Sequence, residues 1–150
     1  MNTAQQTIRK SIDIQAPREK VWEVLFNDKY TRIWYAEFSE GTYAQTDWQP
    51  GSKAVFRDKS GFGMVGRIIT NKLYEKLSIE FEGVFTDGKE DYESADAHQV
   101  KGARETYILT EKEGGTQVSI EFDMAQEHFE SMSASWERAL LKVKELSEKP

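Results

Sequence analysis

Apolar residues recur at every second position near the start of the chain and again through its middle. Ile8, Ile12 and Ile14 stand at even spacing between polar neighbours, which predicts a strand with one buried face. From residue 41 a period of two returns in short segments rich in β-branched and aromatic residues, separated by turn signals. The segments are 41–48, 53–58, 63–73, 76–85, 103–112 and 116–124. This pattern predicts a meandering antiparallel sheet with one face in water.

Helical spacing appears on both sides of this strand-rich region. Pro17 suits the first turn of a short helix whose stripe includes Trp22, and Asp28 could cap a second short helix that carries Trp34. The last twenty residues or so predict a long amphipathic helix. Its stripe is Phe129, Met132, Trp136, Leu140, Val143 and Leu146. Because such a stripe needs an apolar partner, we expect the long helix to pack on the sheet, giving an α+β fold in the order β-α-α-β6-α.

Several stretches in this order resemble the START-like (helix-grip, SRPBCC) superfamily. The closest resemblance is to the heat-shock-protein ATPase activator homologue family and its polyketide cyclase relatives. The matching stretches are Ala16-Pro17 followed by Val21-Trp22, the Pro50-Gly51 turn, Gly66-Arg67-Ile68 leading to Lys76-Leu77, and Gly115-Thr116. The chain departs from the family pattern at Leu73-Tyr74, where relatives often have prolines, and at Ser135, where many have glycine.

The resemblance implies one START-like domain over residues 1–150, with a curved antiparallel sheet wrapped around the long C-terminal helix and a cavity between them. The first two helices, with Trp22 in the core, would close one end. Strand phase and the family's pattern together predict the residues that bind a ligand there. They are Trp34, Phe56, Ile79, Phe81, Glu105, Tyr107, Ile120, Phe122, Met132 and Trp136. For the aliphatic members the alternative is an ordinary packed core.

A carboxylate at position 105 is the unusual member of this set. A carboxylate that faces an apolar interior costs several kcal/mol unless it is paired, hydrated or protonated. Arg57 or Arg67, on nearby segments, could pair with it. With a raised pKa, Glu105 could instead act as an acid or base with Tyr107 as proton donor, which makes both speculative catalytic residues. The alternatives are an internal ion pair or a strand phase that is wrong by one residue.

Two other stretches leave alternatives open. The aromatic residues between 34 and 48 could roof the mouth of the cavity or pack the first helices onto the sheet. They are Trp34, Tyr35, Phe38, Tyr43 and Trp48. The acidic stretch 87–98 lacks large apolar residues apart from Tyr92, and we expect it to form a solvated, mobile loop.

Composition excludes several classes of function. The formal net charge of −6 argues against nucleic-acid binding and against stable association with an anionic membrane. There are no cysteines, and no signal peptide or spanning segment is apparent, so we expect a cytoplasmic protein. His98 and His128 show no metal-ligand spacing, and Gly61-Phe62-Gly63 precedes a strand instead of a helix, so we expect no metal and no cofactor.

The function that these patterns favour is binding of a small hydrophobic molecule, such as a lipid, sterol or polyketide, without chemical change. The main alternative is an enzyme of the polyketide cyclase or dehydratase class, a lyase acting without metal through Glu105 and Tyr107. A third is a protein-interaction module linked to a chaperone, in keeping with the family resemblance. A homodimer is compatible with each of these.

Overall fold

The N-terminal strand and two short helices lead into the sheet. The structure, a computed structural model, describes residues 5–150, in which β1 is Gln5–Ile14, α1 is Arg18–Phe26 and α2 is Asp28–Trp34. Pro17, in extended conformation, is the N-cap of α1. The cap of α2 differs from the prediction: Asn27, not Asp28, precedes the helix, and its side-chain oxygen accepts a hydrogen bond from the Lys29 N–H. Asp28 is the first residue of α2. A single 3-10 turn, Tyr35–Glu37, follows.

Seven further strands and two further α-helices complete residues 5–150. They are β2 (Tyr43–Gln45), β3 (Lys53–Arg57), β4 (Gly63–Lys72), β5 (Lys76–Thr86), β6 (Lys89–Asp91), α3 (Ala95–Val100), β7 (Arg104–Lys112), β8 (Gly115–Ala125) and α4 (Phe129–Glu148). The segment predicted as a strand over 41–48 is cut to three residues because the chain turns at Asp47 and Trp48, the latter with a φ of 62°.

The stretch 87–98 is not the loop that the sequence predicted. It forms β6, which pairs with β5, and the start of α3, whose N-cap Ser94 accepts a hydrogen bond from the Ala97 N–H at 3.2 Å. Ala97 is fully buried and anchors this small helix. The short polar sequence is therefore held by local capping and one small apolar contact.

All the strands belong to one antiparallel sheet in the order β1-β8-β7-β5-β4-β3-β2, with β6 beside the end of β5. The N-terminal strand β1 thus pairs with the last strand, β8, over its whole length from Gln5 opposite Ala125 to Ile14 opposite Thr116. The sheet is curved, and α4 packs against its inner face, as the helix-grip prediction requires. The predicted fold class is confirmed.

The space between sheet and α4 holds the main core. Trp136, Leu140, Val143 and Leu146 of the helix stripe are buried. The sequence predicts one sheet face in water, but the outer face is not uniformly exposed. Ser78, which lies on that face between Leu77 and Ile79, is buried, and its hydroxyl lies 3.1 Å from that of Thr106, its cross-strand partner on β7. Within residues 5–150, no helix is both long and apolar enough to cross a membrane.

Candidate functional site

A cavity of about 140 Å³ lies between the inner face of the sheet, the 3-10 turn and the first half of α4. Almost all of its surface is contributed by apolar atoms. An apolar cavity of about 150 Å³ accommodates one benzene ring, so this space matches one ring in size. Its lining residues are Trp34, Tyr35, Phe38, Thr42, Phe56, Met64, Phe81, Glu105, Tyr107, Phe122, Met132 and Trp136.

Most residues that the sequence predicted as ligand contacts line this cavity. They are Trp34, Phe56, Phe81, Glu105, Tyr107, Phe122, Met132 and Trp136. Ile79 and Ile120 face the same way but do not line it, and both are buried in the core. They stand opposite Glu105 and Tyr107 in the register of neighbouring strands. Ile79 fills the space that Gly66 leaves on β4, since a Cβ added to Gly66 would lie 3.0 Å from the Cγ2 atom of Ile79.

Four lining residues were not in the predicted set: Tyr35, Phe38, Thr42 and Met64. Tyr35 and Phe38 belong to the aromatic stretch for which the sequence left roofing and packing open. Met64 stands opposite Phe56 on the neighbouring strand, so its period-of-two spacing could have revealed it. Thr42 lies in a turn and carries no such signal.

The aromatic stretch between 34 and 48 divides between both of the uses considered. Trp34, Tyr35 and Phe38 line the cavity. Trp48 packs on Phe26 of α1 at 5.1 Å between ring centroids. Tyr43 on β2 also packs against a first helix, since the guanidinium of Arg32 on α2 lies 4.7 Å from the centroid of the Tyr43 ring.

Trp136 of α4 is the centre of the aromatic packing. Its ring centroid lies 4.9 Å from that of Phe38, 5.8 Å from Phe122, 6.0 Å from Tyr107 and 6.1 Å from Trp34. The Nε1–H of Trp34 donates to a backbone carbonyl of α1 at 3.0 Å. The Nε1 of Trp136 is also buried, but it finds no hydrogen-bond partner within residues 5–150. This donor is enclosed by protein atoms and has no acceptor among the described residues.

Glu105 reaches the cavity from β7. Its inward direction confirms the predicted strand phase, since it stands opposite Ile79 and Phe122 in the register. Desolvation by the surrounding protein raises the pKa of Glu105 to about 7, and the hydrogen bond that its Oε2 accepts from the Tyr107 hydroxyl lowers that pKa by less. The side chain keeps partial surface because it faces the cavity. Glu105 can therefore exchange a proton near neutral pH.

Two tyrosines accompany this carboxyl. Burial, together with the negative charge of Glu105, raises the pKa of Tyr107 well above its usual value. The same two causes, with a smaller effect from Asp28, raise the pKa of Tyr35. Both hydroxyls therefore stay protonated wherever the protein is folded at ordinary pH, and they can donate hydrogen bonds but cannot supply a base.

Neither predicted arginine partner of Glu105 reaches it. Arg57 shares the outer face of the sheet with Phe85, over whose ring its guanidinium lies at 4.8 Å. Arg67 forms an ion pair with Glu82 at 3.3 Å on that outer face. The prediction of an Arg–Glu105 pair is wrong because the arginines and Glu105 lie on opposite faces of the sheet. In addition, β5 separates the strand of Arg67 from that of Glu105, and both β4 and β5 separate the strand of Arg57 from it.

Other candidate groups lie away from the cavity. His128 is exposed at the start of α4, 3.5 Å from Glu127, and His98 lies in α3. Within the described residues, no three side chains of His, Asp or Glu converge in a way that could hold a metal ion.

Comparison with known proteins identifies a family that this chain matches and several similar folds. Residues 15–148 match the family described as "Activator of Hsp90 ATPase homolog 1-like protein". The fold is similar to that of protein MLL2253 from Mesorhizobium loti, with a TM-score of 0.74 at 15% identity over 94% of this chain and 96% of that one. No curated protein sequence matches this chain.

Two further similar structures carry the family's name. The Aha1 dimer from Colwellia psychrerythraea has a TM-score of 0.71 at 18% identity, covering 95% of this chain and 96% of that one. The AHSA1-like protein from Aeromonas hydrophila has a TM-score of 0.69 at 20% identity, covering 95% and 92%. These identities support a shared fold and nothing finer. The family match over nearly the whole chain shows that this protein belongs to the Activator of Hsp90 ATPase homolog 1-like family.

Proposed function

We propose that the protein binds a small hydrophobic molecule in the cavity between the sheet and α4. The observation that carries this proposal is an apolar, largely aromatic cavity with a few polar groups inside it, which is the usual form of a small-molecule site. The cavity volume indicates how much of a ligand the walls can hold: about one ring fits inside. A sterol or a multi-ring polyketide would extend through the open side of the cavity or require the lining side chains to move.

One polar group on the wall supports binding. Glu105 keeps partial surface, and only one of its two carboxylate oxygens accepts a hydrogen bond from residues 5–150. A ligand with a donor group would hydrogen-bond to the other oxygen, which favours occupation of the cavity by a molecule with a polar substituent. The Nε1–H of Trp136 also lacks an acceptor within those residues, but protein atoms enclose it, so a ligand would reach it only if side chains moved.

The test is a thermal-shift screen of single-ring compounds, with sterols and fatty acids as larger comparisons. A ligand at 100 times its dissociation constant adds about 2.7 kcal/mol to the free energy of unfolding, which raises the melting midpoint measurably. The key variant is Met132→Trp, which should fill the cavity from α4 and abolish the shift. Its matched control is Leu141→Trp on the same helix, where the native side chain is 61% exposed and the shift should persist.

A midpoint that no compound moves in the unaltered protein would contradict the proposal. Equal shifts in both tryptophan variants would also contradict it, because the compound would then bind elsewhere on the surface.

A second candidate is acid–base catalysis of the cyclase or dehydratase class, favoured by the pKa of Glu105 near 7 and its contact with Tyr107. If the protein is such an enzyme, Glu105→Gln should keep neutral ligands bound but abolish turnover.

The family description also names an activator of the Hsp90 ATPase, and a similar structure is an Aha1 dimer. A chaperone partner or a second copy of this chain is therefore the third candidate. Surface-charge reversal would affect that function, while Glu105→Gln would not. The cytoplasmic location inferred from the cysteine-free composition stays a prediction.

A further inference from the structure

The charges around the cavity are unbalanced. Eight of its twelve lining residues are aromatic, and Glu105 is the charged residue among them. None of the described residues that line the cavity is lysine, arginine or histidine. The carboxyl group therefore faces the cavity with two tyrosines as its polar surroundings, Tyr107 in hydrogen-bond contact and Tyr35 close enough to feel its charge.

A buried carboxylate without a cation is costly, and proteins normally pair or protonate it. The arginines that sequence order suggested as partners are held on the outer face: Arg67 by Glu82, and Arg57 between the rings of Tyr43 and Phe85. Nothing within residues 5–150 brings a positive charge to the inner face beside Glu105. The counter-charge that the site lacks can then come from the molecule that occupies it.

The wall of the cavity is also suited to a cation. The faces of tryptophan, tyrosine and phenylalanine rings attract an ammonium group, most strongly where water is excluded. Trp34, Trp136 and Tyr107 are all buried and meet at this cavity with ring centroids 6.0–6.4 Å apart. An aromatic wall with one carboxyl group is a chemical match for an organic amine, and a poor match for an anion.

We propose that the ligand of this cavity is a small organic ammonium ion, no larger than about one ring, whose charged head pairs with Glu105 among the aromatic side chains. This inference rests on the proposed binding function and names the chemical class that the site would take. Tyr107, by donating to Oε2, orients the carboxylate and leaves its other oxygen for the ammonium N–H. Tyr107 is thus a positioning residue for the ligand's head.

The proposal predicts a pH dependence with a defined sign. The titratable groups that face Glu105 are Tyr107 on β7 and Tyr35 on the 3-10 turn, and the raised pKa values of both keep them neutral. The partners that pack from β5, β8 and α4 are Phe81, Phe122 and Trp136, which do not titrate. An aliphatic ammonium stays charged to about pH 10. Its affinity should therefore rise as Glu105 ionises, about tenfold per pH unit below 7, and level off above it.

The test compares two probes of the same shape by isothermal titration calorimetry, benzylamine as the cation and benzyl alcohol as the neutral analogue. At pH 8 we expect benzylamine to bind at least about ten times more tightly, and at pH 6 we expect that preference to shrink by about tenfold. In Glu105→Gln the preference should vanish at both pH values while benzyl alcohol still binds. Met132→Trp should bind neither probe.

The outcomes separate this inference from the proposed function. If benzyl alcohol binds as tightly as benzylamine at pH 8, or tighter, the ammonium proposal is overturned while the binding function stands. If neither probe binds and no compound in the thermal-shift screen does so either, the binding function itself is overturned. Should Glu105→Gln fail to fold, as judged by circular dichroism, the pH series on the unaltered protein still tests the ammonium proposal, because a preference for benzylamine that does not change with pH would overturn it.

Discussion

Replacing Glu105 by glutamine should make the protein more stable at alkaline pH, and by an amount that the structure sets. The pKa of this carboxyl is about 7 in the folded protein, against 4.5 for an unperturbed glutamate. That difference corresponds to about 3 kcal/mol between the protonated and ionised forms. Glutamine keeps the shape and can still accept the Tyr107 hydrogen bond, but it never ionises.

Proton binding in the folded and unfolded states determines whether the free energy of unfolding rises or falls with pH. Between pH 4.5 and 7 the folded state holds a proton on Glu105 that the unfolded state has released, so the free energy of unfolding falls as pH rises through this window. The loss is nearly complete at about pH 8, one unit above the pKa of the folded state. We therefore expect Glu105→Gln and the unaltered protein to differ least near pH 4.5, and the variant to gain up to about 3 kcal/mol over the unaltered protein at about pH 8.

Urea denaturation of both proteins from about pH 4.5 to 8.5 measures this difference directly. Several carboxyls outside the cavity have lowered pKa values, among them Asp58, Glu90 and Glu148, and their protonation weakens both proteins at acid pH. Because both proteins carry them, their effects cancel when the two curves are subtracted. A difference that stays constant across the whole range would refute the reasoning, since it would mean that Glu105 has an ordinary pKa in the folded state.

Three further substitutions test other parts of the structure. Trp34→Phe removes the indole N–H bond to the carbonyl of Val24 and leaves that oxygen buried, so urea denaturation should show a loss of about 1–3 kcal/mol. Gly63→Ala would place a Cβ 1.7 Å from the carbonyl oxygen of Phe56, so the free energy of unfolding should fall by more than about 2 kcal/mol. A smaller decrease would contradict the tight β3–β4 pairing. Ser94→Ala removes the N-cap of α3 and should cost about 1 kcal/mol, with faster amide exchange confined to that helix; unchanged exchange would mean that the cap does not hold it.

Strand phase was the most predictable part of the site. Apolar alternation in β5 and β8 placed Phe81 and Phe122 inward, and the family's strand pattern placed Glu105 on the same face. The register agrees, since Glu105 stands opposite Ile79 and Phe122. Facing inward is not the same as lining the cavity, however. The side chain of Ile79 points inward, but it packs over Gly66 and does not reach the cavity. That contact depends on how closely β4 and β5 approach each other, which the sequence does not show.

The wrong predictions share one physical cause: the spacing of residues along the chain does not show which distant segments the fold brings together. Arg57 and Glu105 belong to strands of one sheet, but β4 and β5 lie between those strands. The pleat also directs Arg57 to the outer face, where it lies over the Phe85 ring. Likewise, the stretch 87–98 looked like a loop because it is polar. Its order comes from the pairing of β6 with β5 and from the cap at Ser94, whose helix is too short to show a hydrophobic period.

The pairing of β1 with β8 has a consequence for how the protein is made on the ribosome. Gln5 meets Ala125, and the hydroxyl of Thr116 donates to the carbonyl of Ala16 at 2.8 Å, so this seam joins parts of the chain 100 or more residues apart. Such long-range contacts slow folding because a large loop must close before they form. During synthesis, β1 and the apolar face of α1 leave the ribosome before β8 and wait without their partners until Ala125 has left the exit tunnel. For that interval the nascent chain exposes an unpaired strand edge, so its risk of aggregation is greatest before β8 has emerged.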